Sequence, residues 1–121
     1  MVGTKLLLIN DLKQALEGCY VTVPTPFGDA AGFPINTQAL RSYVRFLVDN
    51  GLNAENATFL AGGAAGDFST MSFDERVLVA ETVIDEVAGR VPVAMGAQTT
   101  STLELQRLAK TAKRLGAKFI Q

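Results

Sequence analysis

Residues 58–75 read TFLAGGAAGDFSTMSFDE, which is a short apolar strand followed by a glycine-rich turn and the start of a helix. The helix opens on Ser72 and Glu75, the pair of a capping box in which each side chain accepts a hydrogen bond from a backbone N–H of the first turn. Three glycines in the turn allow positive φ and close approach to a ligand: Gly62, Gly63 and Gly66. Free N–H groups in such a turn suit an anion such as a carboxylate or a phosphate. A plain strand-to-helix connection is the alternative interpretation.

Strand and helix patterns alternate along the rest of the chain. Short apolar or β-branched runs predict four strands, over residues 19–23, 57–61, 91–95 and from 118 onward. A first helix is predicted over residues 6–17, and one helix follows each of the first three strands. Strict alternation implies a parallel sheet joined by right-handed crossovers.

Several element boundaries carry specific signals. Asn36 is a good N-cap for the second helix. Ser101 and Glu104 have the spacing of another capping box, at the start of the last helix. Pro92 has no N–H to donate to a neighbouring strand, so it is expected at the entrance of the third strand.

The number of strand–helix units fits part of a barrel. A barrel of eight such units takes about 250 residues, and this chain has 121. We therefore interpret residues 1–121 as a single incomplete domain of the α/β class: the N-terminal half of a (β/α)8 TIM barrel, preceded by a short helix. It would reach from the first strand to the start of the fourth. A four-stranded open sheet of the doubly wound type is the alternative.

Composition restricts the possible functions. Hydrophobic residues make up 48% and charged residues 19%, which indicates a globular chain. The net charge of −1, without a run of like charges, argues against binding nucleic acid or a membrane surface through a basic patch. There is no histidine and only one cysteine, Cys19, which removes Ser–His and Cys–His nucleophile pairs and argues against a metal site. No cofactor is expected, and a cytoplasmic location is predicted because the chain shows neither a secretory leader nor a disulfide pair.

Three stretches are similar to one known family. Residues 21–27, VTVPTPF, resemble its first strand, which typically ends in Thr-Pro-Phe. Residues 63–67, GAAGD, resemble its Gly-Thr-Thr-Gly-Glu signature, and residues 89–96, GRVPVAMG, resemble its third unit. On these motifs the chain is identified as a member of the dihydrodipicolinate synthase and N-acetylneuraminate lyase family.

The resemblance implies an enzyme in which a lysine forms a Schiff base with pyruvate or a related 2-keto acid, in an aldolase, lyase or dehydratase reaction. It also implies a homo-oligomer, a tetramer or a dimer. In the family, backbone N–H groups of the signature turn hold the carboxylate of the keto acid, and the matching residues here are Gly63, Ala64 and Ala65. The second signature threonine contributes a hydroxyl to a proton relay, which Ala65 cannot do. Thr25 is expected near the same mouth or, alternatively, serves as a turn residue between two prolines.

The resemblance places the catalytic groups outside this chain, with the lysine on the sixth strand and a tyrosine just beyond the fourth. No catalytic residue is therefore expected in residues 1–121, and the chain alone is expected to lack lyase activity. Lysine-inhibited members carry characteristic Asn, Glu and His residues; here the corresponding residues are Thr100, Glu104, Phe73 and Arg76, so feedback by lysine is not expected. The alternative function is a small open α/β binding or regulatory module without catalysis.

Overall fold

The computed structural model describes residues 2–121, so Met1 of the predicted domain lies outside the described residues. A helix, α1 (Val2–Gln14), precedes alternating strands and helices: β1 (Cys19–Val23), α2 (Thr37–Asp49), β2 (Ala57–Ala61), α3 (Phe73–Val87), β3 (Val93–Met95), α4 (Thr102–Leu115) and β4 (Phe119–Ile120). Two single-turn 3-10 helices, Ala64–Gly66 and Phe68–Thr70, lie between β2 and α3. The predicted order of elements is confirmed, with a first helix that begins and ends earlier than residues 6–17.

The four strands form one parallel sheet in the order β1-β2-β3-β4. At its carboxyl edge Ala61 of β2 pairs with Val23 of β1 and with Met95 of β3. In a doubly wound sheet the strand order reverses at a switch point, and helices cover both faces. Here each strand lies beside its predecessor, and right-handed crossovers then place α2, α3 and α4 on the same face. The sheet therefore has the topology of a barrel wall, and the open doubly wound alternative is wrong.

The main core lies between the sheet and these three helices. Alternate strand residues point into it because successive side chains of a strand face opposite sides of the sheet. Its largest fully buried members on the two layers are Val23, Phe59 and Met95 from the strands and Leu40, Val44, Val79, Val83, Val87 and Leu108 from the helices. This packing fixes the strand ends, from which the loops of the candidate site emerge.

The opposite face of the sheet carries Tyr20 and Thr58, which are in register on β1 and β2. The Thr58 hydroxyl donates to the carbonyl of Ala15 at 2.7 Å, which attaches the segment after α1 to this face. The Tyr20 hydroxyl and the Gln121 Oε1 atom lie 3.5 Å apart, joining β1 to the end of β4. Three strand spacings would separate these outer strands by about 14 Å in a flat sheet. The contact between their side chains is in keeping with a sheet that curls as part of a barrel.

The two predicted capping boxes have different outcomes. At the start of α3 the Ser72 side chain accepts from the Glu75 N–H at 3.2 Å, and the Glu75 carboxylate accepts from the Ser72 N–H at 2.7 Å. At the start of α4 the Ser101 side chain accepts from the Glu104 N–H at 3.3 Å, but the Ser101 N–H donates to the Thr99 hydroxyl at 3.2 Å. The second capping box is therefore only half formed, because Thr99 takes the donor that Glu104 would have used.

Other boundary signals agree with the structure. The Asn36 side chain accepts from the N–H of Ala39 at 2.9 Å, as an N-cap should. Pro92 directly precedes β3, and its carbonyl accepts from the N–H of Phe59 at 2.9 Å. None of the helices found in residues 2–121 combines the length and apolar character needed to cross a bilayer.

Candidate functional site

The glycine-rich turn leaves β2 at the carboxyl edge of the sheet. Because Ala61 is in register with Val23 and Met95, the turn emerges between the segments that follow β1 and β3. Barrel enzymes keep their active sites at this edge, in the loops after the strands. The residues of the turn and of its two neighbouring loops therefore make up the candidate site.

The three glycines of the turn have different structural roles. Gly62 alone takes positive φ, at 66°, whereas Gly63 lies at −82° and Gly66 is not left-handed. A Cβ on Gly63 would overlap the buried side chain of Leu60, so this position needs glycine for space. Of the three positions where glycine permits positive φ, only Gly62 adopts it. The second left-handed residue of the turn is Asp67, at φ 59°.

The far end of the turn is attached to the segment after β1. The Thr25 hydroxyl donates to the carbonyl of Gly66 at 2.6 Å, and Thr25 is only 6% exposed. A Cβ on Gly66 would come within 3.0 Å of the Val23 carbonyl oxygen, so the two segments are in close contact. Thr25 thus lies beside the turn, with its hydroxyl proton engaged by the backbone.

The near end of the turn is packed against the segment after β3. The Gly96 N–H donates to the carbonyl of Ala61 at 2.8 Å. A Cβ on Gly96 would overlap the carbonyl oxygen of Gly62, so the two backbones meet where neither residue carries a side chain. The turn is consequently held from both sides by main-chain contacts.

Three successive N–H groups of the turn are free. The N–H groups of Gly66 and Asp67 donate to the carbonyls of Gly63 and Ala64, at 2.9 and 3.2 Å. No acceptor within residues 2–121 takes a hydrogen bond from the N–H of Gly63, Ala64 or Ala65. Ala64 and Ala65 are exposed, while Gly63 is buried. Such a run of unpaired donors is chemically suited to an anion.

Arg76, near the start of α3, contacts the loop after β3 and the end of the glycine-rich segment after β2. Its Nη2 donates to the carbonyl of Gly96 at 2.8 Å and its Nη1 to that of Gln98 at 3.1 Å. The guanidinium carbon lies 5.3 Å from the centre of the Phe68 ring, and Arg76 is 7% exposed. Burial lowers the pKa of the guanidinium, and the nearby Glu104 carboxylate opposes that shift. The Arg76 Nε and the Gln98 Oε1 atom are buried without a hydrogen-bond partner.

The described residues contain no buried nucleophilic lysine. Every lysine of residues 2–121 is exposed, whereas a Schiff-base lysine needs a desolvated or cationic environment. Within the same residues no three His, Cys, Asp or Glu side chains are grouped as they would be to hold a metal ion. What the described residues do offer is a set of backbone donors suited to an anionic group.

A parallel sheet with its strands in sequential order and a helix after each of the first three strands has the architecture of part of a (β/α)8 barrel. The profile of the Dihydrodipicolinate synthetase family matches residues 15–120, and the chain belongs to this family. The chain is 38% identical over 101 residues to the 4-hydroxy-tetrahydrodipicolinate synthase of Pelobacter propionicus, covering 84% of this chain and 32% of the relative. It is 35% identical over 112 residues to the synthase of Desulfotalea psychrophila, covering 93% and 35%.

Solved structures agree with this assignment. The dihydrodipicolinate synthase of Bacillus clausii superimposes with a TM-score of 0.80 at 26% identity, covering 90% of this chain and 35% of that one. The synthase of Acinetobacter baumannii, solved in complex with pyruvate, gives a TM-score of 0.75 at 29% identity, covering 84% and 33%. The chain spans about a third of the length of the curated relatives it matches.

Proposed function

We propose that this chain forms the carboxylate-binding wall of a Schiff-base lyase or synthase that acts on pyruvate or a related 2-keto acid. The observation that carries the proposal is the run of free N–H groups at Gly63, Ala64 and Ala65, at the carboxyl end of β2. Family membership supports it, as does the pyruvate complex of the Acinetobacter baumannii synthase.

In the proposed site the backbone of the turn binds and orients the substrate. The keto acid's carboxylate accepts hydrogen bonds from the free amides, and its reactive carbonyl then points along the barrel mouth. Fixing the carboxylate aligns the carbonyl carbon for attack by an amine, which is the entropic part of the catalysis. The lysine that supplies the amine belongs to the barrel outside residues 1–121.

Proton transfer must differ from the usual family pattern at this turn. Ala65 carries only a methyl group, and the hydroxyl of Thr25 donates to Gly66. We propose that the hydroxyl relay of this enzyme is supplied by another part of the barrel. The turn itself then has a purely electrostatic and positioning role.

A binding module without catalysis is the second candidate. The exposed state of every lysine in residues 2–121 favours it, because free amides alone bind a carboxylate without catalysing its reaction.

We propose the cytoplasm as the location of the enzyme. We also propose that it assembles as a homo-oligomer, a tetramer or a dimer.

Pyruvate titration of the ¹⁵N-labelled chain tests the carboxylate site. We expect pyruvate to shift the amide resonances of Gly63, Ala64 and Ala65, and hydroxyacetone, which lacks the carboxylate, to leave them in place. Ala64→Pro removes one free donor, and Gly63 at ψ −168° is extended, the conformation that a following proline requires. Ala64→Ser is the matched control, because it changes the side chain and keeps the N–H.

We expect Ala64→Pro to weaken pyruvate binding and Ala64→Ser to retain it. Equal affinities for the two variants would contradict binding by the backbone amides. Borohydride reduction in the presence of pyruvate should leave the intact mass of the chain unchanged. A stable adduct would instead place the nucleophile within these 121 residues.

A further inference from the structure

We propose that Arg76 is a positioning residue, which sets the geometry of the glycine-rich turn by holding the segment after β3 against it. The effect of Arg76 on the geometry of the turn is a property of the chain itself. The effect of Arg76 on the binding of a keto acid rests on the proposed function. Arg76 would act through Gly96, without touching the substrate.

Arg76 holds the segment after β3 through two hydrogen bonds. Two nitrogens of its planar guanidinium donate to the carbonyls of Gly96 and Gln98, at 2.8 and 3.1 Å. A guanidinium presents its donors in a fixed fork, so two such bonds fix both the position and the orientation of the segment. Lysine has a single nitrogen on a flexible stem and cannot reproduce that constraint.

The segment after β3 is itself packed against the glycine-rich turn. The Gly96 N–H donates to the carbonyl of Ala61, and the Gly96 Cα packs directly against the carbonyl of Gly62. Gly62 immediately precedes Gly63, the first of the three residues whose amides are proposed to bind the carboxylate. A displacement of Gly96 therefore changes where the free amides point.

Arg76 also contacts the other end of the turn, at Phe68. The guanidinium lies over the Phe68 ring, at 5.3 Å from its centre, and Phe68 follows Asp67 directly. Arg76 thus contacts Phe68, beyond the run of free amides, directly, and it reaches Gly62, before that run, through Gly96. One side chain links the segment after β3 to the end of the turn after β2.

The unsatisfied atoms of this cluster argue for a role beyond stability. The Arg76 Nε donor is buried without a partner, and so is the Gln98 Oε1 acceptor. A buried polar atom without a partner reduces stability, and an apolar side chain would avoid that cost at this position. A locally unfavourable arrangement of this kind is characteristic of a functional site.

The test compares Arg76→Met and Arg76→Lys with a matched control. Arg41→Met removes another arginine that bridges two helices, through Asp85 and Glu86 at 3.4 and 3.5 Å. Each ¹⁵N-labelled variant is examined under conditions where its spectrum is fully folded. The two readouts are the amide resonances of residues 62–65 and the dissociation constant for pyruvate.

We expect Arg76→Met to shift the amide resonances of residues 62–65. Because a small misplacement of the binding amides is costly, we also expect it to raise the pyruvate dissociation constant about tenfold or more. Arg76→Lys should recover part of both effects, and Arg41→Met should change neither. Resonance changes confined to residues 96–98, with residues 62–65 unmoved, would overturn the positioning role. If the unmodified chain binds no pyruvate, the proposed function fails, whereas the resonances still decide the role of Arg76. If Arg76→Met does not fold, the resonances of the Arg76→Lys chain decide it in the same way.

Discussion

The hydrogen bond from Thr25 to the glycine-rich turn provides the most direct test of how that turn is held. Thr25→Val replaces the hydroxyl by a methyl group of nearly the same shape. The Gly66 carbonyl then loses the donor that now lies 2.6 Å away, at a site where Thr25 is 6% exposed. No backbone N–H of residues 2–121 outside regular helices and strands donates to that carbonyl.

Two opposing terms set the size of the effect. Leaving a buried carbonyl without a partner costs about 1–3 kcal/mol. The added methyl group returns about 0.8 kcal/mol through apolar burial. The net loss is therefore about 1 kcal/mol, and with a urea dependence of about 1.5 kcal/mol per molar the unfolding midpoint falls by about 0.7 M.

Urea unfolding followed by circular dichroism measures this loss, and NMR shows where it acts. Thr25→Ser is the control, because it keeps the hydroxyl and should leave the resonances of residues 63–66 in place. Thr25→Val should shift them. An unchanged midpoint together with unchanged turn resonances in Thr25→Val would refute the view that this hydroxyl holds the turn.

Three further predictions concern other parts of the chain. Gly96→Ala places a Cβ against the Gly62 carbonyl and should lower the free energy of unfolding, measured by urea titration, by about 3 kcal/mol. Gly3→Ala is the control, because Gly3 has open space around it and the change should not destabilise the chain. Ala88→Gly relieves a left-handed C-cap at φ 47° and should stabilise the chain by about 1 kcal/mol, visible as a higher melting temperature. Partial burial raises the pKa of Tyr20 above its ordinary 10.0, so folding favours the neutral phenol and stability is lost as the pH rises through the folded-state pKa. Tyr20→Phe should therefore reduce the loss of stability between about pH 9 and about pH 11, and an identical loss in both chains would contradict the assignment.

Local signals in the sequence predict the structure most accurately. The capping box of Ser72 and Glu75 involves groups only three residues apart, so its geometry follows once the helix forms. The same pattern at Ser101 and Glu104 gave only half a box, because the hydroxyl of Thr99 competes for the Ser101 N–H. Such competition between short polar side chains depends on loop geometry that the pattern does not contain.

Glycine roles were harder to predict because they depend on distant partners. The turn itself shows that Gly62 and Gly63 are glycines, but not that one needs positive φ and the other needs space. The need for glycine at position 96 arises from the Gly62 carbonyl on the neighbouring strand end. Only the register of β2 and β3 brings these residues together.

The sequence does not indicate Arg76 as a candidate site residue, and its comparison with the regulatory pattern concerns only the absence of a histidine. A signal for its burial was present, since Arg76 lies at helical spacing from the buried residues Val79, Ala80 and Val83. A cation on the inner stripe of a helix requires polar partners. Those partners are carbonyls of the segment after β3, which local pattern reasoning does not identify.

The main-chain construction of the turn bears on how this protein can diverge. Glycine contacts and a buried threonine hold the turn from beneath, while the side chains of Ala64 and Ala65 are exposed and carry none of those contacts. Evolution, or a directed library, is free to vary the size and polarity of these two side chains while the backbone of the turn keeps its shape. Under the proposed function, this means that the preference for one keto acid over another can change without rebuilding the scaffold.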